Sequence, residues 1–144
     1  MKQFIVLCAV LPLLMVFLLQ FALDQQNDVR IGIVNDIVYA AKEEAKQEGC
    51  FTKEIQSRMR EQIAGRLHVS PQEIRITATE TPRYRITETE HLTESRIRRG
   101  MIEYEVIVPV GPLMAGRSLF GLKEQDNICW CTVAGSTPSE RLRR

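Results

Sequence analysis

The side chains best suited to chemistry in this chain are four cysteines and two histidines. Cys129 and Cys131 stand in the segment NICWCTV. On a strand, a C-x-C pair points both sulfurs to one face and Trp130 to the other, and joining such close neighbours to each other would strain the backbone. A disulfide from Cys50 to Cys129 or Cys131 is the sterically reasonable cross-link, and outside the cytoplasm it would persist. Three free, mostly buried thiols are the alternative, and the sequence leaves both open. Zinc fits less well, because three cysteines with neither C-x-x-C spacing nor a nearby histidine make no recognisable metal site.

The remaining polar candidates point away from catalysis. Neither His68 nor His91 has a serine, cysteine or carboxylate at a spacing that predicts a triad or a metal site. The segment GPLMAG at 111–116 lacks the lysine and hydroxyl that a phosphate loop uses to reach phosphate and magnesium. Ser139 and Glu140 pair a hydroxyl with an acid but have no base beside them. The carboxylate neighbours Glu43 and Glu44, and Glu103 and Glu105, fit solvated faces rather than an acid and base with split pKa values. The chain therefore reads as a non-enzyme, with no catalytic residue, cofactor or metal expected.

Charge excludes a further class of function. Lys2 is the only ionisable side chain carrying charge before Asp24, so 18 of the 19 Lys and Arg residues lie beyond it, matched by all 18 acidic ones. A nucleic-acid binder needs a basic excess or stripe. The short runs RIRRG at 96–100 and RLRR at 141–144 are explained by exposed loop and tail charges. Neither a nucleic acid nor a small-molecule substrate is expected as a partner.

The elements that would position these residues begin with MKQFIVLCAVLPLLMVFLLQFALDQQND. From Phe4 to Leu23 no residue is charged, which is long for an export signal and matches the roughly 20 apolar residues that cross a bilayer. A signal would also end in a small-x-small cleavage site, and here Ala22 is preceded by Phe21 and Gln20. Residues 1–23 are expected to be a retained transmembrane anchor, with the lipid bilayer as partner. Lys2 precedes the span and Asp24 and Asp28 follow it, so the N-terminus is expected in the cytoplasm and residues 24–144 outside the cell membrane, in a single-pass topology.

Beyond the span, Ile31, Val34, Val38, Ala41 and Ala45 recur at helical spacing, with Val29, Ile33, Ile37 and Ala40 widening the stripe. Gly49 is a natural stop. Nothing forces a break before Val29, so membrane helix and amphipathic helix are expected to form one rod. Thr52 caps a second helix whose apolar face is Ile55, Met59, Ile63 and Leu67. Strands are expected at EIRITATE, at RYRITE with Tyr84 and Ile86 inward, at MIEYEVIVPV with Ile102, Tyr104, Val106, Val108 and Val110 on one face, and at ICWCTVA. A polar loop is expected from Thr87 to Gly100, a packed loop or helical turn at GPLMAGRSLFGLKEQDN, and an exposed tail at GSTPSERLRR. The fold class is α+β: an N-terminal transmembrane helix continuing into an amphipathic helix, a short second helix, and a small antiparallel sheet covered by helices on one face.

That plan is the one found in type IV pilins. The segment YAAKEEAKQEGCFTKEIQSRMREQIAGRLHVSPQEIRITAT, with its alanine-rich helix ending in glycine, second short helix, Ser-Pro turn and strand, resembles the TadE/TadF-like pseudopilins of the tight-adherence (Flp-type) system. The tail VAGSTPSERL is similar to their closing segment. The resemblance implies a membrane-anchored pseudopilin-like component of a pilus assembly or secretion system, whose partners are other pilin-like subunits and pilus assembly proteins. The run beginning at Phe4 and Ile5 lacks the glycine and glutamate of a prepilin cleavage site, so an assembly or initiation component is expected rather than a major filament subunit. The competing readings are a ring-forming membrane component of a secretion or sporulation machine, which needs a flexible linker at Asp24–Asp28, and a secreted or anchored domain holding a ligand with the Thr87–Gly100 loop.

Overall fold

The computed structural model describes residues 2–86 and 100–142. One helix, α1, runs from Lys2 to Glu48 through Pro12 without interruption, about 70 Å at 1.5 Å per residue. It contains a stretch long and apolar enough to cross a membrane, none of it buried against the rest of the chain. The DQQND segment belongs to this helix.

The second half of α1 carries the stripe read from the sequence. Val34, Val38, Ala41 and Ala45 are buried, and Ile31, Ile33 and Ile37 pack at the margin. Val29 and Ala40 depart from expectation and face outward, Val29 with 66% of its surface exposed. At 100° per residue Val29 points about 140° away from Val34, too far to share its face. Gly49 ends α1 at φ +81°, and a Cβ there would meet the Arg83 carbonyl oxygen. Both facts require glycine at this turn.

Helix α2, Lys53–Leu67, opens where Thr52 Oγ1 accepts from the Ile55 N–H at 3.3 Å. It buries Ile55, Met59, Ile63 and Leu67. His68 ends it in the left-handed region at φ 58°. Pro71–Glu73 then forms a 3-10 turn leading into the first strand.

The sheet has three antiparallel strands in the order β1-β2-β3: β1 is Arg75–Ala78, β2 is Met101–Pro112 and β3 is Ile128–Pro138. β2 pairs Ile76 with Val106 on one side, and Tyr104 with Gly135 and Val108 with Cys131 on the other. A bulge interrupts the β2–β3 register between Pro109 and Gly111. Ile102, Val106, Val108, Val110 and Cys131 face the helices and join Phe51, Met59 and Ile63 in one core. Tyr104 lies over Gly135, its ring 5.5 Å from that of Phe51. Glu103, Glu105 and Trp130 lie on the opposite, exposed face.

Two expectations are corrected. Of RYRITE, residues 83–86 are described and form no strand, the last two residues lying outside the described ones: the Arg83 N–H donates to the Gly49 carbonyl and the Arg85 N–H to the Arg141 carbonyl, both at 2.8 Å, so these residues join the end of α1 to the tail. Tyr84 is exposed rather than inward. The tail is not simply exposed: β3 continues to Pro138, with Thr137 and Ser139 buried, because residues beyond the expected ICWCTVA extend the ladder opposite the start of β2. The expected polar loop lies, apart from Gly100, outside the described residues. GPLMAGRSLFGLKEQDN finishes β2 and then forms 3-10 turns at Arg117–Phe120 and Glu124–Asp126.

Candidate functional site

The sheet is fastened to α1 at both ends, and the two junctions differ in chemistry. At the end remote from the apolar run, the tail satisfies carbonyls that the last helical turn leaves unpaired. The Glu140 N–H donates to the Lys46 carbonyl at 3.0 Å, and Arg141 Nη1 donates to the Glu48 carbonyl at 2.8 Å. The Arg141 charge also suits the negative end of the helix dipole. Ser139 Oγ donates to the Arg83 carbonyl at 2.7 Å, so the serine noted in the sequence as a candidate beside an acid serves as a structural hydroxyl.

At the other end, three polar side chains of α1 reach the backbone where β2 gives way to the β2–β3 connection. Arg30 Nη1 donates to the Val110 carbonyl at 2.6 Å, and Asn27 Nδ2 to the Pro112 carbonyl at 2.8 Å. Gln20 Nε2 donates to the Leu113 carbonyl at 3.2 Å and to Asp24 Oδ1 at 2.8 Å, while Gln20 Oε1 accepts the Ala115 N–H at 2.9 Å. Gly111 makes this approach feasible, since a Cβ there would stand 2.6 Å from Asn27 Oδ1 and 2.8 Å from Arg30 Nη1.

Between this end of the sheet and α1 lies an open cleft of about 1100 Å³. It is lined by Leu19, Ala22 and Leu23 of α1 and by Met114 and Ala115 of the connection. Arg30, His68 and Glu73 also line it.

The sequence reading assigns Gln20, Asn27 and Arg30 no role in holding the sheet. A signal was present: Gln20 and Asn27 precede Val34 and Ala41 at steps of seven, so they continue the buried stripe of α1 toward the apolar run.

The cysteines are free thiols. Cys50 follows the end of α1, beside Phe51, whose N–H donates to the Thr79 carbonyl and whose ring meets Tyr104. Cys131 pairs with Val108, four rungs or about 13 Å further along β2 than Tyr104. The structure thus places Cys129 and Cys131 on one strand and sets Cys50 well apart from them. Burial raises the pKa of Cys50, against the opposing pull of Arg141, and burial likewise raises that of Cys131, with Cys129 adding to the rise. Neither environment activates a thiolate.

His68 is the exposed end of α2, and His91 falls outside the described residues. Among the described residues no group of three or more His, Cys, Asp or Glu side chains converges to hold a metal ion. Glu43 bonds Lys46 one helical turn away, which lowers the carboxyl pKa and raises that of the amine. Comparison of the chain with protein-family models, with curated proteins and with solved structures finds no match.

Proposed function

We propose that this chain is a non-enzymatic, membrane-anchored, pseudopilin-like component of a tight-adherence pilus assembly or secretion system. In this reading α1 crosses the cell membrane once with its N-terminus in the cytoplasm, and residues 24–144 stand outside. Its partners are the lipid bilayer, other pilin-like subunits and pilus assembly proteins.

The observation that carries the reading is the unbroken passage of α1 from an apolar half with no buried residue into a half that contributes to the core of the α+β fold. Such a helix couples the outer domain rigidly to whatever its apolar half packs against. A ring-forming component would need a pivot at Asp24–Asp28, and that segment is helical, with Asn27 and Asp24 both hydrogen-bonded. Within the bilayer, association of α1 with partner helices would rest on close packing.

The test is made in the native cells. The protein is expected at full-length mass in the membrane fraction, with its domain digested by protease added outside. Cells lacking the chain are expected to lose their surface filaments or the corresponding secreted cargo. A product short of about its first 22 residues in the medium would mean a cleaved signal and remove the anchor. Unchanged filaments and secretion in cells lacking the chain would remove the assembly role.

A further inference from the structure

We propose that the connection between β2 and β3, at residues 113–122, is a second membrane contact: its exposed leucines enter the interfacial layer of the bilayer that α1 crosses. The inference rests on the anchor reading above and adds to it a lipid-binding surface on the outer domain.

The level of this connection along α1 is set by its bonds to Gln20. Gln20 is the one polar side chain within the apolar run Phe4–Leu23. It lies one helical turn, about 6 Å, to the membrane side of Asp24. A chain segment held at that level by both the donor and the acceptor of the Gln20 amide stands inside the boundary of the apolar run. Leu19, Ala22 and Leu23 of α1 line the same cleft as Met114 and Ala115.

The surface of the connection suits that depth. Leu113 is 56% exposed and Leu122 40% exposed, leaving a substantial part of each leucine open to the surroundings. Interfacial apolar groups of peripheral elements commonly reach about 5–10 Å into the headgroup and acyl boundary.

Backbone polarity is the usual obstacle to placing an irregular segment in such a layer. Here it is met in part from within. The Leu113 N–H donates to the Asn127 carbonyl, the Met114 N–H to Asn127 Oδ1, and Asn127 Nδ2 to the Met114 carbonyl. Gln20 takes the Leu113 carbonyl and the Ala115 N–H, and the Leu122 N–H donates to the Arg117 carbonyl. Arg117 is paired with Glu124 at 3.3 Å, and its long stem lets the charge stay at headgroup level. The same bonds account for Gln20, whose amide would otherwise be left unpaired in hydrocarbon.

The test uses the full chain in phosphatidylcholine nanodiscs whose lipids are brominated at shallow or deep acyl positions. Trp130, the single tryptophan, is exposed on the outer sheet face and serves in the unsubstituted chain as a reporter outside the membrane. In a Trp130→Phe background, Leu113→Trp and Leu122→Trp report on the connection and Leu13→Trp on the middle of the span. All three positions are exposed in the structure, so the fold should tolerate the changes.

The expected result is that shallow bromines remove at least about half of the emission at positions 113 and 122, as befits interfacial depth, while deep bromines quench position 13 and Trp130 is untouched. Quenching at 13 with none at 113 and 122 would overturn the lipid contact and leave the anchor standing. Absence of quenching at 13 would overturn the anchor itself. A blue shift at 122 that grows with protein concentration, without quenching, would assign the patch to a second copy and overturn the proposal, as would equal quenching of Trp130.

Discussion

Arg30→Ala should destabilise the α+β domain more than Asn27→Ala, although Asn27 is the more deeply buried of the two. Arg30 gives the Val110 carbonyl a short, charge-assisted bond of 2.6 Å, a class worth about 1.5–3 kcal/mol. With the arginine partly solvated, about 2 kcal/mol is expected. Asn27 donates one neutral bond of 2.8 Å to the Pro112 carbonyl, worth about 1 kcal/mol. Its Oδ1, however, is buried without a hydrogen-bond partner, and such a group costs about 1–3 kcal/mol. Truncating Asn27 loses the bond and removes the orphan oxygen together, so the net change should stay within about 1 kcal/mol of zero. The assay is urea unfolding in detergent micelles, followed by far-UV circular dichroism, with Arg30→Met to separate lost packing of the arginine stem from the lost charge. Because both side chains crowd Gly111, the double variant is expected to depart from the sum of the singles. An Asn27→Ala loss exceeding that of Arg30→Ala, or an Arg30→Ala loss below about 0.5 kcal/mol, would refute this account of the junction.

Gly49→Ala combines a left-handed backbone, at φ +81°, with a collision against the Arg83 carbonyl; the conformation alone costs about 1–2 kcal/mol, so a clear fall in Tm by calorimetry is expected, and an unchanged Tm would mean that the turn relaxes freely. Ile63→Ala, at a site with no exposed surface, should lower unfolding free energy by about 2–5 kcal/mol in the same urea titration. With thiols at Cys50 and Cys131 raised by burial, iodoacetamide at neutral pH should modify the partly exposed Cys129 before either of them, as read by peptide mass mapping of the native protein. The carboxyl of Glu43 is lowered chiefly by its bond to Lys46, so its contribution to stability is present above the unfolded carboxyl pKa and lost as pH falls through the folded value. The stability difference between the wild-type chain and Glu43→Gln should therefore shrink in acid. On the alkaline side Lys46, raised by the same bond, keeps its contribution until pH rises through its own elevated value.

The fold has a mechanical consistency that bears on the proposed role. Tail residues bind the last turn of α1, while Arg30, Asn27 and Gln20 bind the opposite end of the sheet to the same helix. A force or rotation transmitted along α1 is thereby delivered to the whole sheet rather than to one flexible joint. In the anchored reading, the outer sheet face with Glu103, Glu105 and Trp130 is held at a set orientation to the membrane and is presented outward.

What the sequence by itself determined was local and periodic. An uncharged apolar run marked the exposed half of α1, spacing of three and four marked the faces of α1 and α2, alternation marked β2, and Thr52 and Gly49 marked helix ends, because each signal depends on residues within a turn or two. Tertiary structure decided what depends on distant partners. RYRITE has a strand-like pattern, yet the Arg83 and Arg85 N–H groups find carbonyls at Gly49 and Arg141, and the tail becomes ladder because the start of β2 lies opposite it. The distance between Cys50 and Cys131 follows from strand register, to which cysteine spacing is blind. Gln20 is a polar residue within an apolar run; its partners, Leu113 and Ala115, are 93 and 95 residues away in the chain, and only the folded path of β2 back along α1 brings them together.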